Sequence, residues 1–95
     1  MRYEIGVLAA RDLREIHSYG LSHYGGRRAD AYLEELFGKF EHIARWPYTA
    51  PERHATRSAV RLLKQRAHNI LYAVDGETVT ILRVFHHSVN WIDLL

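Results

Sequence analysis

Cysteine is absent from the 95 residues. That excludes a disulfide framework and any thiolate metal site. Proline occurs twice and methionine once, so nothing suggests a proline-rich linker. No stretch approaches the roughly 18 consecutive apolar residues of a membrane span. The opening MRYEIGVLAARDLREI lacks the apolar core of a secretion signal, so the expected compartment is the cytoplasm, with no membrane partner. No HExxH or similar ligand spacing occurs among the seven histidines, and no metal or other cofactor is expected. A chain of this length buries one modest core and leaves no room for a deep cavity holding a large cofactor, so residues 1–95 are expected to form one domain.

What is present is unevenly distributed. Net charge is only +2, yet Arg45 to His68 holds six basic residues (Arg45, Arg53, Arg57, Arg61, Lys64, Arg66) against one acid, Glu52. Such a zone suits an anionic partner, either nucleic acid or an acidic protein segment. It equally suits a solvated edge strand kept from aggregating by its charges. Charge alone does not separate the two.

The apolar pattern predicts the elements. Tyr3, Ile5 and Val7 alternate in a short strand, Arg2 to Val7. From Leu8 to Tyr24 the spacing becomes helical through Leu13, Ile16, Tyr19 and His23. Gly25 and Gly26 interrupt it, as a helix end and tight turn require. A second helix follows, with Ala29, Tyr32, Leu33, Leu36, Phe37, Phe40, Ile43 and Ala44 on one face. That stripe reads as hydrophobic core. Pro47 to Thr56 reads as a loop. Arg57 to Lys64, His68 to Asp75 and Thr78 to His86 read as an antiparallel meander, with Asp75-Gly76 marking a hairpin. The tail His87 to Leu95 is expected to pack as a short helix or turn at the sheet end. The result is a two-layer α+β domain of order β-α-α-β-β-β, a helix hairpin on an antiparallel sheet.

That order at this length resembles the ParE/RelE superfamily of toxins from type II toxin–antitoxin systems. AARDLREIHSY (Ala9 to Tyr19) is similar to the family's opening helix, and ADAYLEELFGKFEHIARWP (Ala29 to Pro47) to its long second helix. VRLLKQRAHNILYAVDGETVTILRVFHHSVNW (Val60 to Trp91) resembles its sheet, with Arg-x-Leu, His-x-Ile-x-Tyr and Ile-Leu-Arg-Val-x-His in sequence. The resemblance implies a cognate antitoxin as partner, a small protein of ribbon-helix-helix or similar type. Its tail would lie beside the hairpin and sheet in a hetero-oligomeric complex. An acidic tail would suit Arg45, Arg53, Arg57, Arg61 and Arg66, with Trp91 as an aromatic anchor.

RelE-like members of this family cut ribosome-bound messenger RNA, whereas ParE-like members inhibit DNA gyrase, so the residues must separate them. RNA cleavage needs a base, a cation for the phosphorane and an acid for the leaving oxygen. Arg61, Lys64, Arg66 and Arg83 are candidate cations, and His68, His86 and His87 candidate acids or bases. The end His86-His87-Ser88-Val89-Asn90-Trp91 carries no tyrosine, and Trp91 has no acidic proton. Adjacent His86 and His87 point to opposite faces unless the strand ends between them. Arg83, placed by alternation with Val79, Ile81 and Phe85, needs a partner on a buried face. It reads as a structural anchor, with an anion site as the competing role. The missing tyrosine and the Leu82 to His86 match favour the ParE branch, an inhibitor with no catalytic residues of its own, with a RelE-like ribonuclease or an inactive partner-binding member as the alternatives.

Overall fold

The computed structural model describes residues 1–54 and 59–94. Two helices lie on one face of a five-stranded sheet. Strand β1 (Arg2–Ile5) leads through Gly6 into α1 (Val7–Tyr24), and α2 (Gly26–Arg45) follows directly. Then come β2 (Glu52–His54), β3 (Ala59–Gln65), β4 (His68–Asp75), β5 (Thr78–His86) and a 3-10 turn, Trp91–Leu94. Arg57, expected in the partner-binding set, lies outside the described residues.

The sheet order is β1-β5-β4-β3-β2. The predicted meander is present, β3 to β4 to β5 all antiparallel, but β1 pairs parallel with β5. The sheet is therefore mixed, with both helices and strands β2 to β4 lying between these two strands in the chain. Gly6 makes the transition. Its N–H donates to the Ile81 carbonyl at 2.9 Å, and a Cβ there would stand 3.0 Å from that same oxygen.

A second difference lies in the stretch expected to be loop. Glu52–His54 forms a three-residue edge strand on β3, exposed along its length. With no apolar member, it gave no alternation to read. Its charges and brevity are how sheets blunt an open edge.

Helix α2 buries the face the spacing predicts, but on α1 only Leu13 and Ile16 of the predicted face turn inward; Tyr19 and His23 are exposed, and Ala9, Asp12 and Gly20 are buried instead. Ala9 and Leu13 of α1 and Leu36, Phe40 and Ile43 of α2 meet Ile70, Tyr72, Val79, Ile81 and Val84 of the sheet. Each large side chain so buried contributes about 1.5–3 kcal/mol. The hairpin closes where Gly20 meets Ala29; a Cβ at position 20 would stand 3.1 Å from the Ala29 Cβ, tight enough that the neighbour must shift. His17 Nε2 lies 2.7 Å from Asp30 Oδ1 across the two helices.

Strand β5 contains a bulge. Leu71 faces Arg83, but Tyr72 faces Ile81, leaving Leu82 as the extra residue. The bulge reverses the alternation beyond it. Phe85, expected beside Val79 and Ile81, instead joins Val60 and Leu71 on the outer face. Leu62, Leu82, Trp91 and Leu94 pack there, so the 3-10 turn closes the sheet face away from the helices. Among the described residues no helix is long and apolar enough to cross a membrane.

Candidate functional site

Three arginines of the expected site each face a carboxylate. Arg83 reaches from β5 to α1, where Nε and Nη2 meet Asp12 Oδ2 and Oδ1 at 2.8 and 3.0 Å. Asp12 also accepts the Val84 N–H at 2.9 Å. It is the one buried charged residue among those described. The hydrogen bonds Arg83 donates to Asp12 raise its pKa above the ordinary value, against the opposing effect of burial. Arg83 is thus an anchor between helix and sheet.

Arg61 is similarly occupied. Its guanidinium donates to the Ala50 carbonyl and to Glu52 Oε1, the latter at 3.2 Å, and lies 5.0 Å from the centre of the Tyr48 ring. It organises the loop between α2 and β2. Arg66 lies in the β3–β4 turn and forks onto Glu35 of α2 at 2.8 and 3.0 Å, but that pair is exposed. Lys64 is exposed.

The histidines gather at the other end of β4. His68 opens β4 directly across from His86, the last residue of β5. The strand does end at His86, so His86 and His87 are not sent to opposite faces. Their ring centres are 4.3 Å apart, and those of His68 and His86 6.0 Å. The His86 Nδ1 lies 2.7 Å from the Ser88 hydroxyl. His68 Nδ1 lies 2.6 Å from the Tyr32 hydroxyl, which also donates to the Gln65 carbonyl at 3.1 Å. One tautomer satisfies both contacts: His68 Nδ1–H donates to Tyr32, and Tyr32 donates to Gln65.

Burial lowers the His68 pKa below its usual 6.5, with His86 and His87 adding smaller effects in the same direction. Burial likewise raises the Tyr32 phenol, Glu35 adding to it and Arg66 opposing. A histidine held neutral by the fold contributes stability above its unfolded pKa and loses it as pH falls through 6.5 toward the lowered folded value. Thermal melts should therefore show Tm decreasing as pH drops from about 7.5 to 5.5, with a flatter profile for His68→Gln. An equal slope in that variant would assign the dependence to other groups.

Among the described residues, the expected partner-binding set is spread over α2, β2, β3, the β3–β4 turn and the C-terminal 3-10 turn. Arg61 is the third residue of β3 and Arg66 follows its end, a separation of about 16 Å at strand rise. Trp91 is half-buried against the outer sheet face. Arg45 and Arg53 are exposed, as are Trp46 and Tyr48. Sequence reading missed Asp12, Glu35, Glu52 and Tyr32 as site members. For Tyr32 the available signal was a hydroxyl inside an otherwise apolar stripe, which must find a partner when buried.

The family described as the ParE toxin of type II toxin–antitoxin system, parDE, matches residues 3–91. The chain belongs to the ParE toxin family. Among solved structures, a chain of the chromosomal ParDE toxin–antitoxin system from P. aeruginosa shares the fold, with a TM-score of 0.78 at 19% identity over 90% of this chain and 95% of that one. No curated protein sequence matches. Membership of the ParE family agrees with the hairpin-on-sheet architecture and with the match of Leu82 to His86 to the ParE branch.

Proposed function

We infer that this ParE-family toxin acts in the cytoplasm by binding DNA gyrase and blocking its action, without chemistry of its own, and that a cognate antitoxin neutralises it. The observation carrying this reading is the state of the strand cations. Arg61 and Arg83, two of the four candidate cations, are largely buried and bonded to Glu52 and Asp12. A guanidinium already neutralised by a carboxylate offers little to a developing phosphoryl charge.

For the antitoxin, the exposed Arg45 and Arg53 suit an acidic segment, with the exposed Trp46 and Tyr48 between them in sequence as aromatic anchors. The open edge of β2 adds backbone groups such a segment can pair with. The resulting complex is a hetero-oligomer, its antitoxin a small protein of ribbon-helix-helix or similar type.

One observation favours the second reading, ribosome-dependent cleavage of messenger RNA. The phenol missing after β5 is supplied from α2, where Tyr32 touches His68. Inducible expression separates the readings. Gyrase inhibition stops DNA synthesis first and leaves messenger RNA intact. Early loss of translation with cut messenger, abolished by Tyr32→Phe or His68→Gln, establishes the nuclease instead.

A further inference from the structure

Between Glu15 and Asp30 the sequence contains no acid, and the centre of that stretch is YGLSHYGGRR, Tyr19 to Arg28. It forms the tip of the helix hairpin, the last turns of α1 and the first of α2. From Tyr19 to Ala29 only Gly20 and Ala29 are buried, and they meet each other. None of these side chains joins either core cluster. The tip is held by its own two helices, with His17 and Asp30 2.7 Å apart at its base.

Three rings are set on this tip. Tyr19 and His23 stack at 3.8 Å between centres, and Tyr24 stands edge-on to Tyr19 at 6.4 Å. His23 Nδ1 lies 2.9 Å from the Tyr19 carbonyl, which fixes the imidazole along the helix. Yet Tyr19 is 57% exposed, Tyr24 59% and Leu21 46%. Apolar area left in water adds nothing to the core. Rings that are clustered, fixed and still exposed have the form of interface anchors, which offer large contact area at low entropy cost.

The charge of the tip is equally unexplained by folding. Helices favour carboxylates in their first turn. α2 has none there and carries Arg27 and Arg28 instead, with no side-chain cap. Both arginines are exposed. Among the described residues neither meets a carboxylate, and Asp30, the nearest acid in sequence, faces His17. Cations at the positive end of a helix cost stability, whereas an acidic partner surface is steered and held by them.

We propose that the hairpin tip is the surface with which this toxin grips its target protein, Tyr19, Leu21 and Tyr24 entering an apolar pocket whose acidic rim meets Arg27 and Arg28. This rests on the reading that the chain acts by binding rather than by cleavage. Nucleic acid fits the tip less well. His23 already covers one face of Tyr19, and two arginines are few for a phosphate backbone. The tip lies roughly 28 Å along α2 from Arg45, so target and antitoxin take opposite ends of that helix.

The test compares the wild-type chain with two double variants, Tyr19→Ser with Tyr24→Ser and Arg27→Glu with Arg28→Glu. Both should keep the wild-type Tm and bind the antitoxin within about twofold of wild type, as expected of distant, independent sites. On inducible expression at matched soluble levels both should lose growth arrest. Each should need at least about tenfold more protein to inhibit supercoiling by purified gyrase. Growth arrest as strong as wild type in either variant overturns the proposal. So does loss of antitoxin binding with Tm intact, which assigns the tip to the antitoxin. Saturable binding of a single-stranded or duplex oligonucleotide that both variants lose assigns it to nucleic acid instead. If the variants lose growth arrest while even the wild-type chain leaves supercoiling intact, the tip stands and the gyrase reading alone falls. A wild-type chain that neither stops growth nor inhibits gyrase overturns both.

Discussion

Asp12→Ala is expected to destabilise the protein by about 3–5 kcal/mol, the usual cost of stripping one partner from a buried ion pair. Two groups lose their acceptor at once. The Arg83 guanidinium is left partly buried without its counter-charge, and the buried Val84 N–H is orphaned. For a domain of this length such a loss lowers Tm by roughly 12–40 °C, against a total stability of about 5–15 kcal/mol. Asp12→Asn should cost less, because its carbonyl still accepts from Val84. The double replacement Asp12→Leu with Arg83→Met should recover much of the loss, since an apolar pair of similar volume removes the unpaired charge. Thermal melts of Asp12→Leu, Arg83→Met and the double close the cycle. The double variant also separates structure from function. If Arg83 only anchors α1 to β5, the refolded double variant keeps its toxicity. Recovered stability without toxicity would show that Arg83 has a further role.

Tyr72→Ala carries a comparable penalty, about 3–5 kcal/mol, as expected for emptying the site of a large buried aromatic. The Tyr72 ring is fully buried in the main core, and its hydroxyl donates to the Pro47 carbonyl at 2.9 Å. That bond ties β4 to the chain leaving α2. Tyr72→Phe isolates it and should cost about 1–3 kcal/mol, the desolvation penalty of a buried acceptor left without its donor. Beyond Pro47 lie Tyr48, Ala50 and Glu52, the groups that hold Arg61. Loosening this loop should therefore weaken antitoxin binding more than it lowers Tm would predict. Chemical denaturation with a matched binding measurement on Tyr72→Phe checks both; a fall in stability with antitoxin affinity intact would remove the loop from the interface.

The long elements were legible because their signals are local. Leu36, Phe40 and Ile43 recur at helical spacing, and Asp75-Gly76 marks its own turn. Strand β2 was not legible, since Glu52, Arg53 and His54 pair only because Val60 and Arg61 lie alongside. The placement of Phe85 was misread for a related reason. Nothing in Ile81-Leu82-Arg83 announces a bulge, which is set by where Tyr72 and Leu71 fall on the neighbouring strand. The need of Arg83 for a partner could be argued from its strand, but Asp12 lies 71 residues away and no pattern joins the two. The Tyr32–His68 contact is also a product of topology. α2 and β4 meet only when the hairpin folds onto the sheet, so a tyrosine in an apolar stripe passed as core. The cluster of His68, His86 and His87 depended on strand register and on β5 ending at His86.

The proposed action of this toxin is to disable gyrase by binding it. Supercoiling of relaxed plasmid by purified gyrase, with increasing amounts of the purified chain and then of its antitoxin, tests that claim most directly. Supercoiling should fall as toxin approaches the enzyme concentration, and return when antitoxin is added before the toxin meets gyrase. Unimpaired supercoiling at a large stoichiometric excess of folded toxin would contradict it.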